Sequence, residues 1–380
     1  MTKLLAEISQ LFMQTTLQKY YEQDLIITNR ITSESIELLS APFLTHLTIL
    51  PNQQLRGLYI VNSAVQSIPK SITMLRRLHF LGIEQSYIRM LDLGLLCDFP
   101  TLNILQLVNN HIRLLLPAPD PSCLNSLEEL FLNHNHLTAL DLALFAPFVY
   151  LKRLFVENNR LHSIVCSNAT NFPHLHLILL GPGNNLTWVA LELLQLPAPV
   201  TINMPGNQLE RLPYLNHHNI PELKRTYLDR NKLSAVDLSH FQPHQHMDGI
   251  HLAQNQLHTI TCGQYVHLPE LDTIDVSHNL LESISLENCN FTNLKLVSLT
   301  NNRFVRVPAD ICFSEVAPVA CVLHMQQNPL QCNSLQQYIP LLTTTNIDRK
   351  LTVTIAARCN EMNYTGRIAL NKRNSFCCMK

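Results

Sequence analysis

The residues best equipped for chemistry in this chain are its cysteines and histidines, 11 and 18 of them in 380 residues. Cys377 and Cys378 are adjacent in the terminal stretch "NSFCCMK". A zinc site there would need two more ligands, and redox pairs favour C-x-x-C spacing, so the pair points to stapling or to a bond with another chain. The densest histidine group is "PHQHMDGIH", with His244, His246 and His251. The chain holds no Walker-type loop, no G-x-S-x-G and no H-E-x-x-H. These observations argue against an enzyme, and neither a cofactor nor a metal is expected.

Totals narrow the partner classes. Lys plus Arg number 27 against 28 Asp plus Glu, so net charge drives the chain toward neither nucleic acid nor an anionic membrane. No run approaches the roughly 20 apolar residues of a membrane helix. Leu4, Leu5, Ile8, Leu11 and Phe12 fall at helical spacing and predict a short amphipathic helix. Glu7, Ser9 and Gln10 break that stretch, so no signal peptide is visible and the start, taken alone, reads as cytosolic. The cysteines argue otherwise. None precedes Cys97, and Cys312, Cys321, Cys332, Cys359, Cys377 and Cys378 crowd the C-terminal end, as in a stapled cap made in an oxidising compartment. Four N-x-Thr sequons, at Asn168, Asn185, Asn290 and Asn363, are glycosylation candidates.

The elements that position these residues are set by a repeat. "LNILQLVNNHI" from Leu102, "LEELFLNHNHL" from Leu127, "LKRLFVENNRL" from Leu151 and "MDGIHLAQNQL" from Met247 share the pattern LxxLxLxxNxL. Counting weaker copies, about 12 follow one another at steps of mostly 24 residues. Such a unit makes one short strand and a return, and stacked units make a leucine-rich-repeat solenoid. The expected form is a curved horseshoe with a parallel β-sheet on its concave face and short irregular, 3-10 or helical returns on the convex side. The boundaries read from the pattern are an N-terminal helix and capping segment over 1–54, the repeat array over 55–331, and a cysteine-containing cap over 332–380.

One asparagine recurs per copy, from Asn110 through Asn135, Asn159 and Asn184 to Asn328, with Ser63 and Ser86 in its place in the first two copies. The chain turns sharply there inside a dry core, and an amide that donates and accepts at once can tie each turn to the next. Leu75, Phe99, Leu124, Phe148, Phe172, Leu196, Ile220, Leu268 and Phe291 form a second core row. "LLGPGNNLTW" carries one residue too many and should bulge at its turn.

Strand alternation turns the residue between the two inward leucines out of the sheet. That row includes Tyr59, Phe131, Phe155, Leu179 and Tyr227, with Arg153, Glu157, Arg225 and Asp229 beside it. Large apolar residues rimmed by both charge signs make a candidate protein-binding face. In the same register His244 falls on a core position and His251 on the face, so the histidine group does not converge.

"NPLQC" after the last strand resembles the leucine-rich-repeat C-terminal cap of extracellular proteins, which usually has C-x-C where this chain has Cys332 followed by Asn333. That resemblance favours Cys332 with Cys359 as the cap staple. Cys312 with Cys321 could clip the final turn. Cys97 and Cys123 occupy nearly equivalent places in successive copies and can bridge them, whereas Cys166 and Cys262 lie four copies apart, beyond disulfide reach. "LYIVNSAVQSIP", "LDLALF" and the terminal "FCC" resemble the leucine-rich immune proteins of mosquitoes, in the form without a coiled coil. The resemblance implies a secreted, non-catalytic recognition protein of innate immunity. It also implies a protein partner, either another leucine-rich-repeat protein or a complement-like thioester protein, and a disulfide-linked dimer through Cys377 or Cys378. The alternative is an intracellular leucine-rich-repeat scaffold or adaptor.

Overall fold

A computed structural model describes residues 14–119, 123, 125–197, 199–215, 218–308, 311, 321–336, 351–354, 366–369 and 375–379. It forms a leucine-rich-repeat solenoid divided into two compact units, residues 1–198 and 199–380. In the first unit the strands Gln14–Leu17, Ser35–Leu38, Gly57–Val61, Phe80–Glu84, Ile104–Gln106, Glu129–Phe131, Arg153–Phe155 and Leu177–Leu179 lie side by side. All pair in parallel and in register, Phe131 opposite Phe155 and Phe155 opposite Leu179. In the second unit the same parallel arrangement, with one register shift between Val200 and Thr201, joins Val200–Asn203, Leu223–Tyr227, Gly249–His251, Thr273–Asp275, Leu296–Ser298, Cys321–His324 and Leu351–Thr354.

The sheet begins before residue 55, the boundary read from the repeat pattern, and runs past residue 331. Ser35–Leu38 pairs with Gly57–Val61, and Gln14–Leu17 pairs with Ser35–Leu38. These early turns were illegible because Ala41 bridges to Ser63 where later turns carry the ladder amide, and Thr15 takes an inward position. At the other end, Leu351–Thr354 adds in parallel to Cys321–His324. The helix expected near Leu4–Phe12 lies outside the described residues.

From Gly57–Val61 to Cys321–His324, each strand of the sheet ends in a turn whose residue before the ladder position adopts a left-handed φ, as at Asn109 (56°), His134 (55°) and Asn158 (54°). The ladder amide then closes the turn. Asn159 Nδ2 donates to Leu132 O of the preceding turn at 2.9 Å and to Val156 O of its own at 3.0 Å, while its Oδ1 accepts from Leu137 N–H at 3.0 Å. The extra residue of "LLGPGNNLTW" is absorbed here: Asn184 reaches Leu180 O, four residues back, where Asn135 and Asn159 reach three. In the first two copies Ser63 and Ser86 bond each other at 2.7 Å.

The returns repeat a second motif. Asp92, Asp141 and Asp237 each accept the backbone N–H two residues on, at 2.9–3.0 Å, and so cap the 3-10 turns Leu93–Asp98, Leu142–Phe145 and Leu238–Phe241. Burial pushes the Asp141 carboxyl up, but hydrogen bonds from Ser167 and Ala143 outweigh it and hold it below the usual range. Phe99, Phe148, Phe172 and Phe291 of the second core row are all buried; Leu124 lies outside the described residues.

The disulfides join neighbouring turns. Cys97 bonds Cys123 with Cα atoms 4.8 Å apart, and Cys262 bonds Cys289 at 5.9 Å. Cys166 is a free, buried thiol. It occupies the place of Cys262 four turns earlier, but the position equivalent to Cys289 holds Leu194, which offers no sulfur. The cap pairing differs from expectation: Cys332 bonds Cys378, not Cys359, which lies outside the described residues. The backbone explains it. Met379 N–H donates to Leu330 O and Met379 O accepts from Cys332 N–H, both at 2.8 Å, which sets the neighbouring Cys378 against Cys332. Cys377 is disulfide-bonded as well, so neither residue of the double cysteine is a spare thiol for a second chain. Cys321 is also bonded, and its proposed partner Cys312 lies outside the described residues.

Candidate protein-binding face

Alternation buries every second strand residue and turns the others outward, giving rows one strand apart. The middle row follows the expected register: Tyr59, Gly82, Gln106, Phe131, Phe155 and Leu179 in the first unit, and Asn203, Tyr227, His251, Asp275, Ser298 and His324 in the second.

In the first unit the rings of Phe131 and Phe155 stack, with centroids 4.3 Å apart and planes 4° off parallel. Both are half-buried, and Leu179 continues them on the next strand. Such a pair adds about 0.5–1.5 kcal/mol beyond area burial. On the adjoining row Arg153 pairs with Glu129, and Lys152 Nζ pairs with Glu128 at 2.7 Å.

Glu157 sits on the other flank. Its Oε2 is buried without a hydrogen-bond partner, and burial pushes its carboxyl pKa up. A carboxyl raised on folding favours the folded state while protonated, and that contribution is lost as pH rises through the folded value. Glu157→Gln is therefore expected to raise the melting temperature at neutral pH. It should leave the temperature unchanged in acid below the ordinary carboxylate range. A neutral-pH melt no higher than wild type would refute the cost assigned to this carboxylate.

Tyr59 stands apart from the phenylalanines. A Cβ at Gly82 would lie 2.5 Å from a Tyr59 ring carbon, so the glycine lets the ring lie across the next strand. The phenol pKa is pushed up to about 12, first by burial and then by the charge and hydrogen bond of Glu84. Gln106 donates to the same carboxylate. Tyr59 thus belongs to a polar network instead of the apolar patch.

In the second unit Tyr227 stacks on His251, centroids 4.4 Å apart and planes 16° off parallel. Arg225 pairs with Asp248, and its pKa is raised by hydrogen bonds to Asp248 and Tyr227. Asp229 Oδ1 accepts from Ala253 N–H at 2.8 Å, and burial nevertheless pushes its carboxyl up. Burial likewise pushes the His251 imidazole down despite Asp229 and Asp275 beside it. Glu129 and Asp248 were missed in the sequence. The signal for Glu129 is opposite charge at the matching position of the next copy, Arg153, whereas Asp248 lies one residue before Gly249, the register partner of Arg225.

The histidine group diverges. His244 is fully buried, His251 faces outward, and His246 lies beside Glu270 (2.8 Å) and Glu222 (3.7 Å). Among the described residues no three His, Cys, Asp or Glu side chains converge as a metal site would require, and no helix is long and apolar enough to cross a membrane. Asn168 and Asn185 are exposed, Asn290 Nδ2 donates to Tyr265 OH at 3.0 Å, and Asn363 lies outside the described residues.

Comparison with known proteins agrees with this architecture. The leucine-rich-repeat family profile matches residues 221–281. Podocan of Mus musculus is 26% identical over 258 residues, 60% of this chain and 37% of podocan. Lumican of Coturnix japonica is 26% identical over 203 residues, 47% of this chain and 58% of lumican. The PH domain leucine-rich repeat-containing protein phosphatase 1 of Homo sapiens is 28% identical over 138 residues, 36% of this chain and 8% of that protein. The chain thus spans between 8% and 58% of these relatives. Among solved structures, the APL1 leucine-rich repeat domain has a TM-score of 0.63 at 19% identity, over 95% of this chain and 88% of that one. The LRIM1/APL1C complex gives 0.64 at 19% identity, over 95% of this chain and 62% of that one. At such identity the likeness is one of fold.

Proposed function

We propose that the chain is a secreted, non-catalytic recognition protein of innate immunity that binds a protein partner through the outward face of its sheet. The carrying observation is the stacked, half-exposed Phe131–Phe155 pair rimmed by two ion pairs. Protein interfaces combine an aromatic centre with a polar rim in this way, and a few central residues dominate their affinity. Secretion is supported by the eight described cysteines held in disulfides, bonds that persist in oxidising compartments. The same bonds disfavour an intracellular scaffold. Asn168 and Asn185 are open to glycosylation. The partner we favour is a second leucine-rich-repeat protein, since one structural neighbour was solved as the LRIM1/APL1C complex; a thioester protein is the other candidate carried by the immune resemblance.

Phe155→Glu tests the face. Placing a charge at the centre of a buried aromatic contact should weaken partner binding by roughly 30-fold or more. The assay is binding of purified candidate partners to wild type and to a variant with a matched melting curve. A folded Phe155→Glu protein that keeps wild-type affinity would remove the phenylalanine pair from the interface.

A further inference from the structure

The first unit carries a second solvent-facing feature, on the turns that follow the ladder positions. One row, immediately after the ladder residue, runs Tyr87, His111, His136, Arg160; a second, two residues further on, includes Arg89 and Arg113. Backbone bonds between successive turns hold the rows in place, His111 N–H to Ile88 O and His136 N–H to Ile112 O at 2.9 Å, and Arg113 N–H to Arg89 O at 3.0 Å. The rings form a continuous track. Tyr87 lies 5.3 Å from His111, and His111 lies 5.0 Å from His136.

The charge along this track is of one sign. Arg89, Arg113 and Arg160 are exposed and none makes an ion pair among the described residues, although Lys152 and Arg153 on the sheet face of the same unit are each matched to a carboxylate. Neither row holds an acidic residue. The acids that follow on these turns, Asp92 and Asp141, are turned onto backbone N–H groups. Burial, Arg160, His111 and Arg113 together hold the His136 imidazole below its usual pKa, which marks the cations as converging there. Its Nδ1 is buried without a partner.

We propose that this ridge binds a linear sulfated polysaccharide, with sulfates on Arg89, Arg113 and Arg160 and sugar faces along the Tyr87–His111–His136 track. Successive turns present their side chains about 5 Å apart, so a rod-like polymer with recurrent charges and apolar ring faces engages the whole row. A lone phosphate would use a single turn of it. This surface is separate from the Phe131–Phe155 face and does not depend on that reading.

Heparin octasaccharide, titrated calorimetrically into the full chain, is the probe. Three ionic contacts predict a weakening of roughly 20- to 40-fold between 50 and 200 mM salt. The triple variant Arg89→Glu, Arg113→Glu, Arg160→Glu should bind at least about tenfold more weakly than wild type. The control Arg76→Glu, Arg77→Glu, exposed on the same unit, should bind as wild type does. Equal binding by the triple variant, or an equal loss in the control, overturns the proposal. So does wild-type protein that binds phosphatidylserine vesicles but not the octasaccharide. If the triple variant fails to fold, Arg113→Ala replaces it, with a loss of about threefold expected and unchanged affinity counting against the ridge.

Discussion

Cys378→Ser is expected to destabilise the C-terminal end of the chain by about 4 kcal/mol. The bond to Cys332 closes a span of 46 residues, and the chain-entropy relation for a loop of that length gives this magnitude. Both Cys378 and its neighbour Cys377 are fully buried, so the serine hydroxyl also enters a site made for sulfur. A repeat array need not unfold in one step, so the effect is best read locally, by hydrogen exchange of the amides in Cys321–His324 and Cys332–Gln336. Exchange there should quicken, and Cys332 should become open to alkylation without reductant. Unreduced wild type should run as a monomer on electrophoresis, since the double cysteine is already bonded. Unchanged exchange in the variant, or a reducible wild-type dimer lost in Cys378→Ser, would contradict the assignment of Cys378 to the cap.

Asn159→Ala carries the second large effect, a loss of about 3 kcal/mol. The substitution takes the acceptor from buried Leu137 N–H and removes one of two side-chain donors from each of Leu132 O and Val156 O, which keep Asn135 and Asn184. The orphaned Leu137 N–H costs about 1–3 kcal/mol, and each of the two lost carbonyl bonds adds about 0.5–1.5 kcal/mol. His162→Ala, an exposed change on the same turn, is the control and should lie within about 0.5 kcal/mol of wild type. Urea unfolding monitored by tryptophan emission suits this comparison, because Trp188, the single tryptophan, lies on the next turn. Similar midpoints for both variants would mean that the asparagine row is replaceable.

The ladder and the facing row were legible because both follow from fixed geometry. A two-residue strand period places Phe131 beside Phe155 once the copies are aligned, and an asparagine every turn announces where the chain bends. Where that amide is missing the reading failed: Ala41 hid a turn that the backbone makes anyway. Cys332 was mispaired for a different reason. Its partner is chosen by the path of the chain after the repeats, which the clamp of Met379 on Leu330 and Cys332 decides and no periodicity encodes. The candidate face was read in outline only. Outward direction was predictable, but whether an outward side chain stands free depends on its neighbours, as Tyr59 lying over Gly82 toward Glu84 demonstrates.

The asparagine bonds have a polarity. Among the described residues, each side chain from Asn110 to Asn184, and from Asn231 to Asn302, bonds its own turn and the one before it in the chain, not the one after. Removing turns from the C-terminal side therefore leaves every remaining amide with its partners, whereas removing them from the N-terminal side strips the first survivor. During synthesis, each emerging turn meets a template that is already complete, and the array can grow as a vectorial zipper. On that view the Cys332–Cys378 bond is the latch that closes after the last tooth has engaged.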